Sequence, residues 1–172
     1  MERESLLQIF QPHDFVNQNF LDLYHLYDNL SCTPFQAGIG IHCEDPDQYL
    51  MDAWHVITPD TMRRHLDWKN RRRTQFISLY GNEATAIRER QRRCSQLWVP
   101  GVGQRELTSI RIAHIRLPSN TKVWAFSRVE MLHMMGTFGS EVRSELFTVL
   151  GVDEWFVWGA ISANLIVNRH QL

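Results

Sequence analysis

The sequence has few cysteines, and their spacing argues against disulfide-based and zinc-based folds. Cys32, Cys43 and Cys94 are an odd number of cysteines without paired spacing. Disulfide frameworks need matched cysteines, so this set predicts reduced thiols in an intracellular, cytoplasmic protein. His42 and His55 lie near these cysteines in sequence, but neither a Cys-x-x-Cys nor a His-x-x-x-His pair occurs. We therefore expect no metal site.

Long apolar runs and a strong net charge are also missing. No apolar stretch approaches the length of a membrane span, and the N-terminus lacks the basic start and apolar core of a secretory signal. The formal net charge is -1, from 18 Lys and Arg against 19 Asp and Glu. Such a chain has no overall field that would draw it to nucleic acid or membrane, and we predict neither as a partner. Arginines do concentrate between positions 63 and 93, where a solvated face is the ordinary interpretation.

The motifs of several large enzyme classes are absent. There is no G-x-G-x-x-G or G-x-x-x-x-G-K loop for nucleotide phosphates. A G-x-S-x-G nucleophile turn, an H-E-x-x-H zinc helix and the paired motifs of protein kinases are missing as well. These absences argue against a doubly wound dinucleotide-binding sheet and against most familiar enzyme classes.

Length and composition predict a single domain, residues 1–172, of the α+β class. A chain of 172 residues with 44% hydrophobic and 22% charged residues can bury one core without a second domain. Residues 1–20 are predicted to be an irregular lead-in. Alternating apolar and polar residues predict a strand at 21–27, and β-prone runs predict strands at 74–80, 109–117, 122–126, 155–158 and 164–168.

Helix and turn signals fall between these strands. Asn82 is a predicted N-cap for a helix over 83–93, and Ser127 with Glu130 has the pattern of a capping box. We also predict a short helix within 46–62, the start of another at 140–145, a loop at 33–40 and a turn at 100–103. The order of elements favours a curved or split antiparallel sheet with flanking helices.

Two acidic residues stand directly before the last strongly β-prone run. Asp153 and Glu154 precede the strand at 155–158, which must be buried on at least one face. A sheet would fix the direction of a carboxylate at that position, at the edge of a cleft. Glu154 shares strand parity with Phe156 and Trp158, which makes it the better candidate of the two. The alternative is a solvated turn before a strand.

Three segments, taken in order, resemble ADP-ribosyltransferase-like domains. They are residues 23–28, residues 74–80 with the helix that follows, and residues 153–161. The segment 65–70, which precedes Phe76-Ile-Ser78, resembles most closely an uncharacterised fungal domain family with that fold. The resemblance spans roughly residues 21–167 and implies an ADP-ribosyltransferase-like split antiparallel β-sheet core with flanking helices.

The resemblance implies NAD as the substrate and a set of residues for its cleft. Cleavage of the nicotinamide–ribose bond develops positive charge on the ribose, which a catalytic Glu154 would stabilise. His25 stands where the family holds the ribose or phosphate of the cofactor, and Ser78 aligns the site. Tyr80 or Tyr27 stacks on the nicotinamide. His25, Tyr80 and Glu154 together match the family's His-Tyr-Glu branch as the catalytic set.

The sequence departs from the family pattern at two places. The usual Ser-Thr-Ser motif is present only as Ser78-Leu-Tyr80. Val152 stands where a second Glu or Gln is frequent, two residues before the catalytic position. Since valine cannot orient an acceptor by hydrogen bonding, transfer to a protein side chain is in doubt even if NAD binds.

The candidate residues also have structural interpretations. His25 can be a satisfied, half-buried histidine, Ser78 can bond a neighbouring backbone group, and the tyrosines can be core or rim aromatics. Most of the six tryptophans are expected in the core, but Trp68 is flanked by charged residues and is predicted to line the pocket and contact the cofactor. His65 and Asp67 are candidates for an acid–base pair.

Three functions are compatible with the sequence. The first is an ADP-ribosyltransferase-like enzyme or NAD glycohydrolase that acts through Glu154 with an unknown acceptor. The second is a catalytically silent domain of the same fold that binds a protein partner through residues 71–93 or exposed aromatics. The third is an enzyme of secondary metabolism that uses the equivalent cleft for a small molecule other than NAD.

Overall fold

Strands outnumber helices in the computed structural model, which describes residues 19–44, 58–66, 74–119, 121, 123–137 and 153–170. Within these ranges the strands are β1 (Phe20–Tyr27), β2 (Phe35–Gln36), β3 (Gly40–His42), β4 (Phe76–Tyr80), β5 (Trp98–Val99), β6 (Gly103–Gln104), β7 (Arg111–Pro118), β8 (Ala125–Ser127), β9 (Glu154–Trp158), β10 (Ala160–Ser162) and β11 (Ile166–His170). The helices are α1 (Pro59–Leu66), α2 (Glu83–Ser95) and α3 (Arg128–Thr137). Short 3-10 helices at Leu107–Ser109 and Ala163–Leu165 precede β7 and β11.

The largest sheet of the described residues has six strands in the order β11-β7-β1-β4-β9-β8. Each of its pairings is antiparallel, and the α+β class predicted from the sequence is confirmed. β1 pairs with β7 along all eight of its residues. On its other side, β1 pairs with β4 through one residue pair, Tyr24 and Tyr80. The sheet is therefore weakly joined between β1 and β4.

The two faces of this sheet carry two separate apolar clusters. The first joins the sheet to a smaller one, β10-β3-β2, and includes Leu23, Ile41, Ile77 and Ile161. The second lies beneath α2 and consists of the buried residues Leu26, Ala86, Ile110 and Ile112. Tyr80 packs against the second cluster. Because side chains alternate along a strand, Ser78 projects from β4 to the same face as Tyr80.

Local sequence signals located two of the helix starts correctly. The side-chain oxygen of Asn82 accepts a hydrogen bond from the Ala84 N–H at 2.8 Å, which confirms the predicted N-cap of α2. At the start of α3 the Ser127 N–H donates to Glu130 Oε2 at 2.6 Å, and the Glu130 N–H donates to Ser127 Oγ at 3.2 Å. The capping box is therefore confirmed in both of its bonds.

The predicted loop at 33–40 was wrong, because this segment contains β2 and the start of β3. Gly40 pairs with Ser162 of β10, a partner far away in sequence. Its φ is +117°, and a Cβ built on it would lie 2.0 Å from the carbonyl oxygen of Ile161. Glycine is needed here for the close approach of two strands, whereas the sequence suggested a turn.

Other differences concern the ends of elements. α1 runs from Pro59 to Leu66 and so extends beyond the segment 46–62 in which a short helix was predicted. The final strand is Ile166–His170 instead of 164–168, because Ala163–Leu165 forms a 3-10 turn first. The predicted helix start at 140–145, most of the segment 46–62 and nearly all of the lead-in lie outside the described residues.

Candidate functional site

A cavity of about 470 Å³ lies where β1 and β4 separate, a volume within the range of small-molecule sites. Its wall includes residues of β1, β4, β9, α1, the end of α2 and the β5–β6 hairpin. Four residues predicted from the sequence line it, namely His25, Ser78, Tyr80 and Glu154. Tyr80 pairs with Glu154 across β4 and β9, and Ser78 is two residues from Tyr80 on the same face.

Tyr27, another predicted cofactor-binding residue, is not among the residues that line this cavity. Tyr27 is 7% exposed, and its ring stacks on His25 with centroids 5.9 Å apart. It also packs against Phe35 of β2, which indicates a role in the core. Trp68, like Asp67 and Val152, lies outside the described residues.

A series of hydrogen bonds connects α1, β4, β9 and α3 at the cavity wall. The imidazole of His65 contacts Thr74 Oγ1 through Nδ1 at 2.6 Å and Ser78 Oγ through Nε2 at 2.9 Å. Ser78 is hydrogen-bonded in turn to the Glu154 side chain. Arg128 Nη1 donates to Glu154 Oε2 at 2.6 Å. We call this set the histidine network; its members are Thr74, His65, Ser78, Glu154 and Arg128.

Proton counting fixes the direction of these hydrogen bonds. An ionised Glu154 only accepts, so the Ser78 hydroxyl donates to it. Ser78 Oγ must then receive the Nε2–H of His65, and the lone pair on Nδ1 accepts the hydroxyl proton of Thr74. This assignment requires a neutral His65. Burial lowers the pKa of His65 to about 3, which keeps the ring neutral at ordinary pH.

Glu154 is a buried carboxylate with a cation beside it. Its residue is 4% exposed, and burial raises the pKa of Glu154 above the ordinary value. The charge of Arg128 and the hydrogen bonds from Arg128 and Ser78 oppose this shift. Arg128 is held there by the capping box, because it is the first residue of α3 and directly follows β8, the neighbour of β9. Local sequence therefore positions the partner of the carboxylate.

Tyr80 presents a neutral phenol to the cavity. Burial, with a contribution from Glu89, raises the pKa of Tyr80 well above its ordinary value. The group therefore donates and accepts hydrogen bonds but does not act as a phenolate at physiological pH. A neutral phenol next to a carboxylate suits contact with a ribose hydroxyl or a planar ring.

His25 joins two backbone segments at the point where the sheet is weakly joined. Its Nδ1 lies 2.9 Å from the carbonyl oxygen of Ser78, and its Nε2 lies 2.6 Å from that of Thr33. Both partners are acceptors, so a neutral ring donates to one of them. Burial lowers the pKa of His25, whereas the two carbonyl contacts oppose that shift. One ring nitrogen donates and the other only lies against a carbonyl oxygen. Strand alternation places the His25 ring on the face of β1 opposite to Tyr24, the register partner of Tyr80, so His25 contributes to the cavity wall as a structural residue.

A second cluster of charged side chains at the cavity carries more positive than negative charge. Arg93 Nη1 and Arg105 Nε both donate to Oδ2 of Asp28, at 2.8 and 3.0 Å. The Asp28 side chain is 2% exposed, and the two arginine side chains are 16% and 14% exposed. We call these three residues the arginine site. All three line the cavity.

Sequence reasoning missed most of the partners of Glu154 and Asp28. His65 was a candidate only as a partner of Asp67, and Arg128 was noticed only as part of the capping-box segment. The capping box together with a β8–β9 pairing would have placed Arg128 beside Glu154. No local signal joins Asp28 to Arg93 and Arg105, which are 65 and 77 residues away.

Metal and membrane features are not found in the described part of the chain. Among its residues, no group of three or more His, Cys, Asp and Glu side chains is arranged to hold a metal ion. None of its helices is long and apolar enough to cross a membrane.

Comparison with known proteins gives one family. Residues 22–172 match the model of a family described as Domain of unknown function (DUF7587). No curated protein and no solved structure matches the chain. Because the matched region is most of the chain, the protein belongs to this family.

Proposed function

We propose that this member of the DUF7587 family is an ADP-ribosyltransferase-like domain that binds NAD and cleaves its nicotinamide–ribose bond. The observation that carries the proposal is that Ser78, Tyr80 and Glu154 share one face of the sheet at a cavity whose wall also includes His25. These residues come from three strands and are distant in sequence, yet the resemblance named the same four for an NAD cleft. An antiparallel sheet that is weakly joined between β1 and β4 is compatible with the split sheet of that fold.

In the proposed reaction, Glu154 stabilises the charge that develops during bond cleavage. The C1'–N bond breaks, nicotinamide leaves with the bonding electron pair, and the ribose gains oxocarbenium character. Water then attacks C1' and releases a proton, giving ADP-ribose. A carboxylate fixed by a strand needs no reorganisation at that moment. Arg128 and Ser78 occupy two of its roughly four acceptor positions, which leaves others for a ribose hydroxyl.

Hydrolysis is the form of the reaction that the residues favour. Val152 lacks the hydrogen-bonding group with which ADP-ribosyltransferases orient a protein acceptor at the equivalent place. Water needs no such residue. The proposed product pair is therefore nicotinamide and ADP-ribose, with His25 holding the cavity wall and Tyr80 contacting the ribose or the nicotinamide ring.

One observation favours a second candidate, a catalytically silent binding domain. Glu154 is 4% exposed and makes a short ion pair with Arg128. In this alternative the pair is structural, and the cavity binds a ligand without breaking a bond. The two candidates differ in whether nicotinamide is released.

The test is to incubate the purified protein with NAD and measure both nicotinamide release and thermal stabilisation. Glu154→Gln should lower the release rate by about 10²–10³, the usual loss when one charge-stabilising group is removed. Asp153→Asn is the matched control, because that carboxylate accepts from Thr85 Oγ1 at 2.7 Å and is not among the cavity-lining residues. Equal turnover by Glu154→Gln rules out the assignment. NAD-dependent stabilisation without release supports the silent domain.

A further inference from the structure

The arginine site has an unbalanced positive charge at the cavity wall. Two guanidinium groups converge on one carboxylate oxygen of Asp28, so the three residues carry a net charge of +1. Glu44 also lines the cavity, but none of the ion pairs among the described residues joins it to Arg93 or Arg105. A partly buried surplus charge is costly unless an anion or water compensates it. Arginine is well suited to phosphate because its planar fork donates two parallel hydrogen bonds.

An exposed tryptophan lies at the same cavity. Trp98 is 65% exposed, although large apolar side chains are usually buried, and it lines the cavity together with Val99 and Val102 of the β5–β6 hairpin. Exposed aromatic surface next to a cavity marks a binding site more often than isolated surface residues do.

The hairpin that carries Trp98 is fixed to the arginine site. The Arg105 N–H donates to the Leu97 carbonyl at 2.7 Å, and Arg105 Nη1 donates to the Gln96 carbonyl at 2.9 Å. Asn29, next to Asp28, donates through Nδ2 to the Gln104 carbonyl at 3.1 Å. The side chain of Arg105 thus contacts both Asp28 and the hairpin base. Trp98 and Arg105 are therefore held by the same short segment, and Arg93 lies at the end of α2 just before it. All three line the cavity, and we treat them as one surface.

We propose that this surface is a nucleotide subsite in which Arg93 and Arg105 bind a phosphate and Trp98 stacks on the attached base. The proposal rests on the proposed function, and it assigns the adenosine phosphate part of NAD to the β5–β6 hairpin. The nicotinamide ribose then lies toward Ser78 and Glu154. Every base has a π-face, so stacking on Trp98 contributes affinity, whereas the phosphate contact selects nucleotides over nucleosides.

AMP and adenosine are the probes, because neither contains the bond that Glu154 is proposed to break. Calorimetric titration of the full chain should show that Trp98→Ala binds AMP about tenfold or more weakly, in keeping with the usual contribution of base stacking. Leu107→Ala is its control, since Leu107 is 54% exposed and does not line the cavity. Trp98 contributes little to the core, so the fold should be unchanged in this variant.

Arg93→Gln should also bind AMP about tenfold more weakly but bind adenosine as the wild type does. Arg105 remains as a one-to-one partner of Asp28 in this variant, so the fold is retained. The control is Arg116→Gln, another carboxylate-bound arginine, which pairs with Asp22 away from the cavity.

Weaker AMP binding in both variants, with unchanged controls and unchanged adenosine binding by Arg93→Gln, supports the subsite. Absence of AMP binding by the wild type, or unchanged AMP affinity in either variant, overturns it. If AMP binds as expected and NAD is not cleaved, the reaction proposal fails and the subsite stands. If nicotinamide release depends on Glu154 while AMP does not bind here, the subsite fails and the reaction stands.

Discussion

The histidine network and the arginine site lie at the same cavity but balance their charges differently. In the histidine network one carboxylate, Glu154, meets one guanidinium, Arg128, and the remaining groups are neutral. In the arginine site one carboxylate, Asp28, meets two guanidinium groups. The first arrangement balances its charge within the protein, whereas the second leaves a positive charge for a ligand. Changes to the first should therefore affect folding strongly, and changes to the second should affect binding.

The largest effect on stability is expected from Arg128→Met. This change leaves a buried carboxylate without its guanidinium, which costs about 3–5 kcal/mol in similar buried pairs. The matched control is Arg116→Met, because Arg116 and Asp22 are 43% and 38% exposed and solvent screens such a pair, so its loss should change stability little. Urea unfolding measures both. A loss below about 1 kcal/mol in Arg128→Met would show that the histidine network does not depend on this pair.

A smaller effect, dependent on pH, is expected from His65. Its pKa is about 3 in the folded protein and near 6.5 in the unfolded chain, so the unfolded state binds more protons between these values. Stability is therefore lost as pH falls from 6.5 toward 3. We expect a loss of about 1–3 kcal/mol in the free energy of unfolding. This is less than the full linkage value, because part of His65 remains exposed to solvent.

His65→Gln tests this point, because glutamine keeps a donor and an acceptor but does not titrate. The variant should lose less stability on acidification than the wild type in urea unfolding at pH 7 and pH 4.5. His133→Gln, at an exposed position on α3, is the control and should follow the wild type. Identical acid dependence in His65→Gln and the wild type would exclude a buried neutral His65.

The smallest effect on stability is expected from Arg93→Gln. Asp28 keeps Arg105 as its partner, so removal of the surplus cation should change the free energy of unfolding by less than about 1 kcal/mol. Thermal unfolding of this variant beside Arg128→Met measures the contrast directly. A loss as large as that of Arg128→Met would mean that the arginine site is structural and has no charge to spare.

The histidine network and the arginine site also differ in how far the sequence predicts them. Ser78, Tyr80 and Glu154 lie on strands whose alternation is visible in the sequence, and their convergence follows from register. Asn82 and the capping box at Ser127 were predictable because a cap depends on neighbours within three residues. These local rules account for the direction of Ser78 and Glu154 and for the start of α3, but the contacts of His65 and Arg128 also depend on the packing of α1 and on the β8–β9 pairing.

The arginine site could not be predicted in this way. Arg93 is in the last turn of α2 and Arg105 follows the β5–β6 hairpin, so their meeting at Asp28 depends on tertiary packing. The β2–β3 hairpin was missed for the same reason, since its pairing with β10 is non-local and Gly40 resembles a turn residue. Strand alternation and helix caps depend on neighbouring residues, whereas the pairing of ions that are distant in sequence depends on tertiary packing.

The central claim is that this cavity holds the carboxylate that cleaves NAD, and the pH dependence of nicotinamide release tests it most directly. Because burial raises the pKa of Glu154, the rate should rise with pH through a midpoint above 4.5 and level off near neutrality. Glu154→Gln should be slow and show no such rise, while Asp153→Asn should follow the wild type. Absence of nicotinamide release at every pH, or the same profile in Glu154→Gln, would contradict the account.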